Sequence, residues 1–296
     1  ERREENMRKI AVVTDSNAGF TNEEVAALGD LYVIPMPFTI DGEEYFENIN
    51  LTQQQFHEKL LGEADISTSQ PSIGGITELW DKLLEKYDSL LHIPMSSGLS
   101  MSCETAKNFA REYKGRVQVV DNKRISVTQI SAVKDALTLI DKGFTAEEAK
   151  NRLEAMSYES SIYIMVDTLK YLKKGGRVTP AAAAIGTMLK IKPVLQIHGG
   201  KLDRFAKAPN QRVACQKMIE AMKKDFATTF KTFVDNGEME LFVAYTNCPD
   251  KADSFMEQIK AEIPNVPLTM SKPLSLSVSC HIGSGALAIA CSRVVK

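Results

Sequence analysis

A chain of 296 residues, 44% hydrophobic and 25% charged, has the composition of a globular protein with enough apolar side chains for two separate cores. Its 36 basic against 38 acidic residues leave a formal charge of −2, which excludes a global basic field; no nucleic-acid partner and at most transient membrane contact are expected. Five widely spaced cysteines, Cys103, Cys215, Cys248, Cys280 and Cys291, form no C-x-x-C pair, so the chain reads as reduced, cytoplasmic and metal-free.

No apolar run reaches the roughly 20 residues of a membrane span. Residues 1–6 are too charged for a signal segment, and Met7 reads as the natural start behind vector-derived sequence. Ile10 to Val13 is then an apolar run closed by Thr14-Asp15-Ser16, and Thr21-x-x-Glu24 is a capping box that opens a helix. Residues 31–40 are β-branched, aromatic and proline-interrupted, and Asp41-Gly42 turns them into residues 43–46, as in a hairpin. Residues 53–61 read as helix. Residues 67–72 form a polar loop before an amphipathic helix over 77–87, with Leu79, Leu83 and Leu84 at helical spacing. The strand 90–93 runs into a second hydroxyl-rich loop, 96–100, followed by a helix and the strand 117–120. Helices over 126–140 and 145–156, the latter opened by Thr145-x-x-Glu148, close the first unit.

A strand to Val166 begins the second unit, followed by Lys173-Lys174-Gly175-Gly176-Arg177, an Ala-rich helix, the strand 193–197, the turn His198-Gly199-Gly200 and a long helix over 210–230. Strand 241–245, helix 249–261 and strands 266–270 and 274–278 complete an alternation that reads as layered α/β, with helices over a largely parallel sheet. The expectation is two layered α/β domains, residues 7–157 and 158–296, with a ligand cleft or tunnel between them. Near the C-terminal end, Ser277-Val278-Ser279-Cys280-His281-Ile282-Gly283-Ser284-Gly285 sets a histidine between an apolar strand and a glycine-punctuated helix start. That arrangement combines a titratable donor with the positive end of a helix dipole and suits an anion.

Several chemistries are weakened by what is missing. Asp15 at a strand end lacks the second carboxylate two residues on that aspartyl phosphotransfer needs, since that position is Asn17; it reads as an Asx turn or cap. Gly283-x-Gly285 has only 11 residues after it, too few for a dinucleotide-binding βαβ unit. Neither a P-loop nor a G-x-S-x-G elbow exists. His57 on a helix surface, His92 in an apolar strand and His198 in a glycine turn read as structural, which leaves His281.

Six short motifs then occur in one order: Val13-Thr14-Asp15-Ser16, Thr68-Ser69-Gln70-Pro71-Ser72, Ser96-Ser97-Gly98-Leu99-Ser100, Gly175-Gly176-Arg177, Ile191-Lys192-Pro193 and His281-x-Gly283-x-Gly285. Together they resemble the DegV family over nearly the full chain. The resemblance implies a protein similar to the fatty-acid-binding subunits of bacterial fatty acid kinase. Such a subunit buries one long-chain fatty acid between two α/β domains and presents its carboxylate to a separate kinase catalytic subunit for acyl-phosphate formation. It implies no catalysis by the chain alone and no cofactor besides the bound fatty acid. It also implies a carboxylate network of Thr68, Ser97, Arg177 and His281 with Ser69 and Ser96 as neighbours, hydroxyls and cations being what a carboxylate accepts from. Residues 181–189, Phe38 and the apolar strands are candidates for the tunnel wall.

The chain departs from the family pattern at Met101-Ser102-Cys103, at the helix start after Asp121, at Lys207-Ala208-Pro209-Asn210 and at Ser284. Two rival readings therefore stand beside the first: a relative that holds another acyl or amphipathic carboxylate without a kinase, and a small-molecule enzyme using His281 as acid/base.

Overall fold

The structure, a computed structural model, describes residues 9–61, 64–185 and 191–296. Its strands are β1 (Ile10–Asp15), β2 (Leu31–Ile34), β3 (Phe38–Ile40), β4 (Glu43–Tyr45), β5 (Ile66–Thr68), β6 (Ser89–Ile93), β7 (Val117–Val119), β8 (Ser160–Met165), β9 (Lys192–Ile197), β10 (Asp203–Ala208), β11 (Met239–Tyr245), β12 (Leu268–Pro273) and β13 (Leu287–Arg293). The helices are α1 (Asn22–Leu28), α2 (Gln53–Leu61), α3 (Ile73–Leu84), α4 (Ser102–Ala110), α5 (Val127–Asp141), α6 (Ala146–Ala155), α7 (Lys170–Gly175), α8 (Pro180–Ala183), α9 (Gln211–Ala227), α10 (Lys231–Asp235), α11 (Pro249–Glu262) and α12 (Leu276–Ile282).

Both capping boxes form. The Glu24 amide donates to Thr21 Oγ1 at 3.2 Å while the Thr21 amide donates to Glu24 Oε2 at 2.8 Å, and Thr145 with Glu148 repeat the pattern. Asp15 acts as the cap expected of it: its carboxylate accepts from the Asn17 amide at 3.1 Å and the Met95 amide at 2.8 Å. The first sheet, ordered β2-β1-β6-β7, is parallel throughout. Every residue of β1 is buried because both faces are covered. Val12 and Leu91 pack with α5 and α6 through Val133 and Leu153, while Val13 and Leu90 pack with α3 and α4 through Trp80 and Cys103.

The second sheet corrects two expectations. Its order is β10-β9-β8-β13-β11-β12, and every pairing except β11–β12 is antiparallel, so it is not the largely parallel sheet read from the alternation. The central strand β13 comes from residues taken for a helix start. Conversely, residues 274–278, read as a strand from their alternating Ser and apolar residues, open helix α12, with Ser275 at its N-cap. The helix wins because Leu276 and Cys280, one turn apart, enter the core formed by Phe38 and Phe56 beneath the small sheet β4-β3-β5. His57 is another correction: it is buried rather than on a helix surface, with Nδ1 2.9 Å from Ser284 Oγ.

Alternation along the second sheet separates two cores. Tyr163, Met165, Leu287, Ile289 and Cys291 point toward α9 and α11. Ile162, Ile164, Ala288 and Ala290 point the other way, toward the loops that leave the first sheet. No helix among the described residues is long and apolar enough to cross a membrane.

Candidate functional site

On that second face lies a cavity of about 220 Å³. Its floor is Ile162, Ile164, Ile197, Ala244, Ala288 and Ala290. Ala244 and Ala288 are directly opposed in the β11–β13 ladder, so small side chains meet where larger ones would fill the space. Met36, Met95 and Leu99 close it from the first sheet's loops, and Leu172 of α7 with Val278 and Ile282 of α12 complete the apolar wall. An apolar volume of this size left unfilled costs on the order of 5 kcal/mol at about 24 cal/mol per Å³. Packing alone would select larger residues at these alanines.

A polar stretch of the wall consists of Thr68, Ser69, Gln70, Ser100, Arg177 and His281. Thr68 ends β5, and its Oγ1 lies 2.8 Å from His281 Nε2. His281 occupies the last turn of α12, followed by Gly283 at φ 78° and the strand β13. It therefore sits at the negative rather than the positive end of its helix dipole, a correction to the anion-nest geometry expected from the glycines. Burial, and secondarily the Arg177 charge, push its pKa down to about 4, so the imidazole is neutral near pH 7.

The fixed cation of the cluster is Arg177. Its Nε donates to the Leu99 carbonyl at 3.2 Å and its Nη1 to the Gly175 carbonyl, which leaves Nη2 without a hydrogen-bond partner among the described residues. Gly175 is required for another reason: a Cβ there would stand 2.1 Å from His281 Nδ1. The same Thr68, Arg177 and His281 also face an outer groove bordered by Lys170, Tyr171 and Lys174, so the polar end is reachable from the surface.

Thr68, Ser69, Arg177 and His281 are thus brought to one wall, whereas Ser96 and Ser97 are not among the residues lining it. The Ser96 hydroxyl donates to the Gly199 carbonyl, tying its loop to the β9–β10 turn. Ser97 Oγ donates to Asp121 Oδ2 at 2.7 Å and accepts from Lys123. Phe38 lies in the core with Phe56 and does not line the cavity; of residues 181–189, those from 186 on lie outside the described residues. Gln70, Ser100, Asn17, Ser126 and Ser277 line the cavity without having been singled out. Ser277 precedes His281 by one helical turn, a signal that exists only once α12 is known to be a helix.

Cys103, Glu104 and Asp121 gather ligand-type atoms within 4.8 Å. Burial pushes the Cys103 thiol up to about 12, and Asp121 is already paired with Lys123 at 2.7 Å, so the group is poorly suited to a cation.

Comparison with known proteins agrees with this geometry. Residues 9–294 match the family model described as an uncharacterised protein of the DegV family. A DegV domain-containing protein of Streptococcus pneumoniae is 29% identical over 95% of this chain and 98% of its own length. Protein DegV of Bacillus subtilis is 30% identical over 95% of this chain and 98% of its own. The crystal structure of that protein, described as a fatty acid binding protein, superposes with a TM-score of 0.82 at 29% identity, covering 97% of this chain and 99% of the other. A DegV family protein of Thermus thermophilus, described by its fatty acid binding, gives a TM-score of 0.84 at 25% identity over 97% and 100%. With its six ordered motifs, its parallel and mainly antiparallel larger sheets and a family match spanning almost every residue, this chain belongs to the DegV family.

Proposed function

We propose that the protein binds one long-chain fatty acid, with the tail in the apolar cavity and the carboxylate at Thr68, Ser69, Arg177 and His281, and presents that carboxylate to a separate kinase for acyl-phosphate formation. The observation that carries this reading is the polarity of the cavity, hydrocarbon over most of its wall, with a polar stretch around an arginine whose Nη2 has no partner among the described residues. Burying about twelve methylenes at ~0.8 kcal/mol each supplies on the order of 10 kcal/mol before the cost of association. The tail accordingly supplies affinity and the head group supplies orientation, Arg177 through a charge-assisted bond and His281 through a neutral one. The outer groove beside Thr68 and His281 supports access by a second protein, and the solved relatives described as fatty acid binding proteins support the ligand class.

Mass spectrometry of the purified protein under native and denaturing conditions, with lipid extraction, tests the reading. One acyl chain per protein is expected, depleted in Thr68→Ala and Arg177→Gln and retained in Ser97→Ala, whose hydroxyl is engaged by Asp121 and Lys123. A protein that neither carries nor takes up any acyl chain refutes it. Incubating the loaded protein with ATP and a fatty acid kinase, then trapping acyl-phosphate with hydroxylamine, tests the presentation step; binding without conversion removes the kinase from the reading.

A further inference from the structure

The cavity contains a second polar station that the head group does not use. Ser126, immediately before α5, lines the cavity and is 7% exposed, and its hydroxyl neither caps its own helix nor bonds elsewhere among the described residues. The amides of Val127 and Thr128, in the first turn of this 15-residue helix, also lack partners among the described residues, whereas those of Gln129 and Ile130 bond back to the Ser126 carbonyl. Ser126 holds φ 55° and ψ −133°, unusual for a residue with a side chain. Asn17 and Ser277 line the same cavity, with Ser277 Oγ donating to Asn17 Oδ1 at 2.6 Å. The Asp15 carboxylate ties the two groups together, accepting from Gln129 Nε2 at 3.2 Å and from the Asn17 amide at 3.1 Å. Ser277 and His281 are four residues apart on α12, so Ser277 lies roughly 6 Å along the helix axis from His281.

Resting on the carrier reading above, we infer that this station receives an oxygen borne by the acyl chain itself, so that the ligand class is a hydroxy- or oxo-fatty acid. A plain methylene chain laid against the Ser126 hydroxyl and the Val127 amide, both unpaired among the described residues, removes them from water and returns no hydrogen bond. A substituent oxygen accepts from the Val127 amide, and a hydroxyl can also donate to Ser126 Oγ.

The test is calorimetric titration of hexadecanoic acid and its positional series of hydroxy derivatives. In the wild type at least one hydroxy isomer binds about 3- to 10-fold tighter than the parent acid, the factor of one net hydrogen bond. Ser126→Ala and Ser126→Gly, the second chosen because glycine suits this φ, cut the preference about 2- to 3-fold, the share the hydroxyl supplies, and leave the parent acid's affinity undiminished. The inference is overturned if every isomer binds no better than the parent in the wild type, or if the preference is undiminished in both variants. It is equally overturned if folded Ser126 variants lose the parent acid too, which would make the station the carboxylate's own site. A wild type that takes up no acid at all would bring down the carrier reading, and this inference with it.

Discussion

Replacing Gly175 by alanine introduces one methyl group at the place where the head-group cluster has no room. The added Cβ would lie 2.1 Å from His281 Nδ1 and 2.6 Å from its Cε1, so the ring must retreat by more than an ångström to reach ordinary contact. It cannot retreat freely, because Nε2 is held 2.8 Å from Thr68 Oγ1 and the backbone is fixed by the core contacts of α12. Gly175 ends α7 without a positive φ, so alanine meets no backbone penalty and gains up to about 1 kcal/mol of helix propensity. Against this stand about 1–3 kcal/mol of overpacking and about 1 kcal/mol for the Thr68–His281 bond. The net expectation is a loss of about 1–3 kcal/mol in stability and a fall of about 10-fold or more in fatty-acid affinity. Chemical denaturation and ligand titration measure the two. Gly176→Ala is the control: it carries φ 68° with nothing within 4 Å, so it loses stability through strain alone and keeps its affinity. The double variant Gly175→Ala, His281→Ala removes the clash and is expected to be no less stable than His281→Ala. A Gly175→Ala protein with unchanged affinity would refute the idea that the His281 ring position matters.

Two further predictions follow from burial. His92 is fully buried against Trp80, its Nδ1 has no hydrogen-bond partner among the described residues, and burial pushes its pKa down to about 3. Below the ordinary histidine value near 6.5 the unfolded chain takes up a proton that the native state refuses, so stability present at pH 7 drains as pH falls toward 3, at about 1.4 kcal/mol per unit. The Asp135 carboxyl, pushed up to about 6 by burial, works in the opposite direction between about 6 and 4. Urea melts of His92→Phe should therefore lose about 2–3 kcal/mol less between pH 7 and 4.5 than the wild type; parallel slopes would be evidence against a buried neutral imidazole. Ala288→Leu, pointing into the cavity from β13, should raise the melting temperature of the ligand-free protein while lowering fatty-acid affinity at least about 10-fold. Undiminished binding would show that these alanines do not bound the ligand.

What was legible in the sequence was local. The two capping boxes, the Asp41-Gly42 hairpin and the parallel first unit depend on residues close in the chain, and each is read from spacing. The antiparallel second sheet was not legible, since β13 pairs with β8 across more than a hundred residues and neither strand advertises its partner. The Ser-apolar alternation of residues 274–278 has a period of two and reads as strand; Ser275 as N-cap and the seating of Leu276 and Cys280 make it helix instead. That reversal hid Ser277, because its alignment with His281 follows only from a 3.6-residue period. Thr68, Ser69, Arg177 and His281 were named from motifs and share one wall, but nothing in Ser96-Ser97 foretold that their hydroxyls would be taken up by Gly199, Asp121 and Lys123.

The place of β13 between β8 and β11 has a consequence for how the chain is made. The parallel sheet and its covering helices are complete once residues up to about 155 have emerged from the ribosome, and its strands need no later residues. The second sheet must wait: until residues 287–293 arrive, β8–β9–β10 and β11–β12 are two fragments with a row of unpaired backbone groups facing each other across an open gap. During that interval the nascent chain exposes two bare strand edges and the apolar surface of both later cores, the condition under which chains pair with one another instead of with themselves. The floor of the cavity is thus the last part of the molecule to form, and a ribosome stalled before Leu287 releases a chain with an intact first sheet and an incomplete cavity.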